Sequence, residues 1–301
     1  MVTYEQFKEL IREKAEEATG FRAVVNRVQK INGLVLDGLV IFKPDCNISP
    51  TIYLEQYYEQ YKELMDIEED PIQAIWNSIS EIYDQKIPEL DFDIEDFRDF
   101  EQMKGNIRIK LINYEKNQEW LEELAYLPFL DLACVFYVVC KSNGLENASA
   151  NIYKSHMELW GCSEEELFDA AIENMKNDYV ILSMIDVIKH MDVDSDMEDK
   201  MDTLPMYIIS NGNKIYGASA ILCREALKEF SRKMGYEKVA IIPSSIHECI
   251  LAPLEEGVSE TYLNYMVSEV NKNNVPIEEI LSDHIYIYNA AENKISNCST
   301  T

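Results

Sequence analysis

The longest uninterrupted apolar stretch in the chain is Leu132 to Cys140, nine residues bracketed by Asp131 and Lys141. A membrane-crossing helix needs roughly 20 such residues, so this run cannot span a bilayer as a helix. Nine consecutive apolar positions also lack the polar face of an amphipathic surface helix. They suit a strand covered on both faces, and the apolar residues Pro128 to Leu130, beyond the single acid Asp131, extend that reading back to Pro128. Residues 128–140 are therefore expected at the centre of a sheet.

Around this strand the patterns change often. Phe7, Leu10, Ile11, Lys14 and Ala18 fall at helical spacing over 3–19, and Thr3 with Gln6 fits a capping box. Asp37-Gly38 sits between two apolar runs over 33–43, which predicts a hairpin turn there. Further helices are read over 51–66, over 71–85 behind Pro71, and over 94–104 up to Gly105. Residues 107–114 alternate as a half-buried strand does. Two helices over 147–177 break near Gly161-Cys162, where Ser163 and Glu166 form a second capping box.

The last third reads as strands 206–210 and 214–221 around Asn211-Gly212, then a helix over 224–234. Strands 239–242 and 246–252 follow around Pro243-Ser244-Ser245, with a helix over 259–271 and a last strand over 284–288. Strands joined locally, with helices between, predict an α+β fold. Its sheets should be mixed and mostly antiparallel, built from local hairpins with intervening helices, and its N-terminal half helix-rich. The acidic stretch before Pro205 marks the best boundary. It separates a helix-rich α+β region, 1–204, from a smaller α+β domain, 205–301, and whether the two share a core stays open.

With 55 acidic and 27 basic side chains the net charge is −28. Such a chain is not expected to bind nucleic acid directly, since phosphate binding relies on Lys and Arg displacing counterions. An anionic membrane surface is disfavoured for the same reason. The charge is local: 17 acids against 3 bases over 45–101, and 13 against 3 over 161–204. The first block holds an acidic helical segment, 45–104, with Tyr53, Tyr57, Tyr58 and Tyr61. Tyrosines at helical spacing usually face a core. Tyrosine is also favoured at interfaces, so these four with Asp91, Asp93, Glu95 and Asp96 form the candidate binding face.

The seven cysteines are scattered and form no C-x-x-C pair, which fits free thiols in a reducing cytoplasm. The N-terminus shows no secretory signal pattern.

Five phrases in the last third carry a resemblance. They are Met206-Tyr207-x-x-Ser210-Asn211, Tyr216-Gly217-Ala218, Pro243-Ser244-Ser245-x-His247-Glu248, Glu269-Val270-Asn271, and Glu279-x-Leu281-Ser282-Asp283-His284-x-Tyr286. In order and spacing they resemble a family of uncharacterised proteins of anaerobic Gram-positive gut bacteria, a domain of unknown function. The stretch around Trp160-Gly161-Cys162-Ser163-Glu164-Glu165 is similar to a second uncharacterised bacterial family. The resemblance implies a bacterial, cytoplasmic protein and supplies no mechanism.

Ser245, His247 and Glu248 place a hydroxyl, an imidazole and a carboxylate close together, the ingredients of an activated nucleophile. No glycine-flanked nucleophile elbow accompanies them, and a turn whose hydroxyls bond local backbone explains the same residues. Asp283 and His284 could join His247 and Glu248 as a site of two histidines and one carboxylate, but no ligand spacing requires it. The Asp192-x-Asp194-x-Asp196 run lacks the glycine and the glutamate of a calcium loop. Asn211-Gly212-Asn213 is not a phosphate loop, and His156 and His190 read as packed or surface histidines. No metal or cofactor is expected.

Two functions remain. The favoured one is a non-enzymatic protein-interaction or regulatory protein that binds a basic protein, nucleic-acid mimicry being a special case. The alternative is a hydrolase or metal-dependent enzyme using Ser245, His247, Glu248, Asp283 and His284.

Overall fold

The computed structural model describes residues 2–44, 49–86, 94–139, 149–189, 205–254 and 259–298, with the side chains of 84–86 and 94–95 outside the description. The chain divides into two compact units, one running up to Phe97 and the other starting at Arg98.

The first unit opens with α1 (Tyr4–Thr19), capped by the Thr3/Gln6 box and stopped at Gly20, whose φ of 70° ends the helix. β1 (Arg22–Gln29) and β2 (Val35–Phe42) pair antiparallel, and β3 (Thr51–Tyr53) adds to β2. Helices α2 (Glu55–Leu64) and α3 (Pro71–Lys86) follow. The expected turn at Asp37-Gly38 is corrected: both residues lie inside β2, opposite Arg27 and Asn26. The reversal is at Asn32-Gly33, whose φ values of 60° and 74° are those a tight hairpin turn requires. Gly38 serves packing instead, because a Cβ there would come within 2.3 Å of Thr51 Cγ2. Residues 51–53, expected as helix, are strand.

The core of this unit joins Phe7, Ile11 and Ala15 of α1, Leu39 and Ile41 of β2, Tyr57 and Tyr61 of α2, and Ile75, Trp76 and Ile79 of α3. α4 (Ile94–Phe97) ends the unit.

The second unit begins with α5 (Phe100–Met103) and β4 (Ile107–Asn113), so the expected helix over 94–104 is two short pieces. After α6 (Gln118–Leu121), β5 (Tyr126–Phe129) and β6 (Leu132–Val139) form a hairpin. The 128–140 strand is thus two strands. The chain turns at Leu130, φ 57°, and Asp131. Every residue of β6 from Leu132 to Val138 is buried, as the apolar run requires, and β6 is central: β4 and β5 flank it and β7 (Ser149–Asn151) also pairs with it. Burial pushes the Cys134 thiol within it up to about 12. Helices α7 (Lys154–Trp160) and α8 (Glu164–Met175) break at Gly161, and Ser163 and Glu166 cap α8 reciprocally.

β8 (Tyr179–Ser183), α9 (Met184–Lys189) and β9 (Tyr207–Asn211) come next, then α10 (Arg224–Met234), β10 (Lys238–Pro243) and β11 (Cys249–Pro253). α11 (Glu260–Asn274), β12 (Tyr286–Asn289) and β13 (Lys294–Asn297) complete the unit. The strands form one sheet ordered β13-β12-β10-β11-β9-β8, every neighbouring pair antiparallel. β8 and β9, from either side of the expected 204/205 boundary, pair with each other. The boundary stretch, including His190 and the Asp192–Asp196 run, lies outside the described residues, as do Cys46 and Cys140. Residues 214–221 are not a strand: 217–222 coil as a buried 3-10 helix. The strand read over 246–252 begins only at Cys249. The architecture is α+β with antiparallel sheets.

Candidate functional site

The five phrases of the C-terminal third meet in space. Asn211, at the end of β9, holds the loop that follows: its Nδ2 donates to the Ile215 carbonyl at 2.7 Å and its Oδ1 accepts from Ile215 N–H at 3.1 Å. That loop delivers Tyr216 with φ 56°, a conformation bulky residues seldom adopt. Tyr216 N–H donates to His247 Nδ1 at 3.1 Å, and the two rings stack with centroids 5.7 Å apart. The Ser210 hydroxyl donates to the His247 carbonyl at 2.8 Å. Gly217 runs so close beneath that a Cβ would lie 2.1 Å from Ser210 Oγ and 2.6 Å from the His247 carbonyl oxygen. Only glycine fits there.

Behind Tyr216 stands Lys110 of β4, only 4% exposed. Its Nζ donates to Asn151 Oδ1 at 2.7 Å and lies 4.9, 5.4 and 5.9 Å from the ring centres of Tyr216, Trp120 and Tyr137. Aromatic faces compensate part of the lost hydration of such an ammonium.

These partners fix the chemistry of His247. Its Nδ1 lone pair is taken by the Tyr216 N–H, so the neutral ring carries its proton on Nε2, which sits 3.9 Å from Glu279 Oε1. A ring in that tautomer donates and has no lone pair left for a base or a metal ligand. Ser245 Oγ accepts from the His247 backbone N–H at 3.0 Å and does not engage the ring. The backbone N–H groups of Ser244 and Ser245 both bond the Glu248 carbonyl, closing the turn.

The other two phrases build an adjoining cluster. Asn271 of α11, 4% exposed, donates to the Ser282 carbonyl and to Asp283 Oδ1, each at 2.9 Å. His284 faces an oxygen with both nitrogens: Asp131 Oδ2 at 3.1 Å from Nε2, and its neighbour's carbonyl, Ile285 O, at 3.1 Å from Nδ1. The Tyr286 hydroxyl donates to Asp131 Oδ1 at 2.9 Å. The Asp131 bond, backed by the Ile285 carbonyl, outweighs burial and raises the His284 pKa. Burial would raise the Asp131 pKa, but the bonds from His284 and Tyr286 win and hold it below the usual carboxylate range. Both ring nitrogens of His284 thus face acceptor oxygens, an arrangement that favours the protonated ring and leaves neither nitrogen turned to a free site.

Of the residues predicted from sequence, the structure brings Ser245 to the His247 backbone and Asp283 to Asn271. It pairs the two histidines with different carboxylates, Glu279 and Asp131, neither in the predicted set. Among the described residues no group of three or more His, Cys, Asp or Glu could hold a metal ion. His156 binds the Tyr153 N–H as part of a cap, and burial lowers its pKa.

The tyrosine face is corrected in part. Tyr57 and Tyr61 are 3% and 4% exposed core residues, with burial raising the Tyr57 pKa, because α2 packs this side against α3 and the core. Tyr58 donates to the Val2 carbonyl and packs on Tyr4 and Phe7, while Lys30 Nζ sits 4.2 Å over the Tyr53 ring. Asp96 is exposed; Asp91, Asp93 and the Glu95 side chain lie outside the description. Sequence reasoning missed Asp131 and Lys110, and named Asn271 within a phrase without giving it a role. Asp131 left one signal, a lone acid between the apolar runs of β5 and β6.

The site thus defines a class: an α+β protein whose C-terminal phrases knit a hydrogen-bonded joint around two committed histidines. The chain belongs to a family of unknown function, DUF5688, matched over residues 4–290. No curated protein and no solved structure matches it. Among the described residues no helix is long and apolar enough to cross a membrane.

Proposed function

We propose that this protein is a non-enzymatic interaction or regulatory protein that binds a basic protein partner. One observation carries the reading: Glu59, Glu63, Asp66, Glu68, Glu69, Asp70 and Glu81 are all exposed within α2, α3 and the turn between them. Lys62 is the one base between Glu59 and Glu81, and it pairs with Glu59; the next base, Lys86, ends α3. A single-sign surface of this kind speeds encounter with an opposite charge and is weakened by salt. The committed ring nitrogens of His247 and His284 favour this reading over the enzyme. A bacterial cytoplasm is the setting proposed with it, supported by free, buried Cys134, Cys223, Cys249 and Cys298.

A fluorescent lysine-rich peptide tests the proposal by anisotropy. Binding is expected to weaken at least about tenfold between low and physiological salt. It is expected to be lost when Glu63, Glu68, Glu69 and Glu81 are changed to Gln. Equal binding by the neutralised variant would overturn the assignment.

A further inference from the structure

α11 packs on the sheet through a narrow edge. Val267 and Asn271 are buried, with Leu263 beside them, while the outer side and one flank carry a second apolar stripe. Tyr262 and Tyr265 are each 62% exposed, Met266 43%, Val270 49%, and Ile277, just past the helix, 63%. The positions 262, 265/266 and 270 recur at three- and four-residue spacing, so they form one surface. Five of the exposed large hydrophobic side chains among the described residues fall within these sixteen positions, 262–277. Tyrosine and methionine are enriched at protein interfaces.

We propose that this stripe is the contact of a homodimer formed by two antiparallel α11 helices about a two-fold axis. Charge supports a second copy as the occupant. In a chain with two acids for each base, the outward side of the helix itself carries one acid, the half-buried Glu269, and one base, the exposed Lys272, with Glu278 following beside Ile277. With a two-fold axis passing between them, Glu269 meets Lys272 of the partner subunit, and symmetry makes that pair twice. A helix side balanced between one acid and one base is where two copies of a −28 chain can approach, the remaining charge being screened beyond about 8 Å at physiological salt.

Area sets the strength. With about 200 Å² for a tyrosine side chain and about 150 Å² for the others, the exposed fractions give at most about 500 Å² per copy. The pair would bury at most about 1,000 Å², the size of a weak interface, so the dimer is expected to be concentration-dependent.

Sedimentation velocity on the full chain between about 1 μM and about 1 mM tests this. The wild type should move from monomer to dimer, and Tyr265→Asp with Met266→Asp should remain monomeric with an unchanged circular dichroism spectrum. Glu269→Lys alone and Lys272→Glu alone should each weaken dimerisation about 3-fold or more, and the two together should restore it. The proposal fails if the wild type stays monomeric over the whole range. It also fails if the Asp variant still dimerises, or if the double charge swap is no better than the single ones. The test is independent of the lysine-rich peptide, whose binding surface lies on α2 and α3.

Discussion

Helices α2 and α11 both carry tyrosines at helical spacing, and the fold treats them in opposite ways. α2 lies between α1, α3 and a three-stranded sheet, so Tyr57 and Tyr61 go into the core while the helix exposes Glu59 and Glu63. α11 covers one sheet from one side only, and Tyr262 and Tyr265 remain on its outer face. Residue type and spacing are shared; the number of neighbouring elements is not. An aromatic stripe becomes core or surface according to whether a second layer exists to cover it, which local sequence does not encode.

The largest expected effect breaks this symmetry directly. Tyr61→Ala should cost about 3–5 kcal/mol, the range for emptying an aromatic core position. Tyr265→Ala, measured at dilute concentration, should stay within about 0.5 kcal/mol. Urea denaturation midpoints compare the two.

A smaller effect concerns the second unit, where the His284–Asp131 ion pair is partly exposed beside an apolar core. Because its pKa is raised, His284 contributes fully below 6.5, the free-imidazole value, and loses that contribution as pH climbs through the raised one. Because its pKa is lowered, Asp131 contributes fully above 3.8 and loses it as pH falls through the lowered one. The pair is therefore strongest between these values. Asp131→Asn should cost about 1 kcal/mol near pH 5.5, solvent screening included, with the difference narrowing at alkaline pH. Melting temperatures across pH read this out, and a deficit that grows at high pH would contradict the pairing.

Much of the scaffold was legible where a local physical rule has one solution. The Thr3/Gln6 and Ser163/Glu166 boxes, Pro71 at a helix start and the buried 132–138 run all stand where the sequence places them. The hairpin failed because two Asx-Gly pairs competed, and cross-strand register selected Asn32-Gly33 over Asp37-Gly38. The joint was half legible. Its phrases were recognised, but Asp131 lies 153 residues from His284 in sequence, and no spacing rule reaches across a fold. The commitment of His247 Nδ1 was also beyond reach, since it depends on the backbone N–H of a tyrosine held at positive φ.

Hydroxyl-radical footprinting read by mass spectrometry, at low micromolar protein, addresses the contrast between the two helices most directly. Tyr262, Tyr265 and Met266 should be modified fastest, and Tyr57 and Tyr61 should be protected until the protein unfolds. Rapid modification of Tyr57 and Tyr61 in the native state, with Tyr262 and Tyr265 protected, would contradict the account.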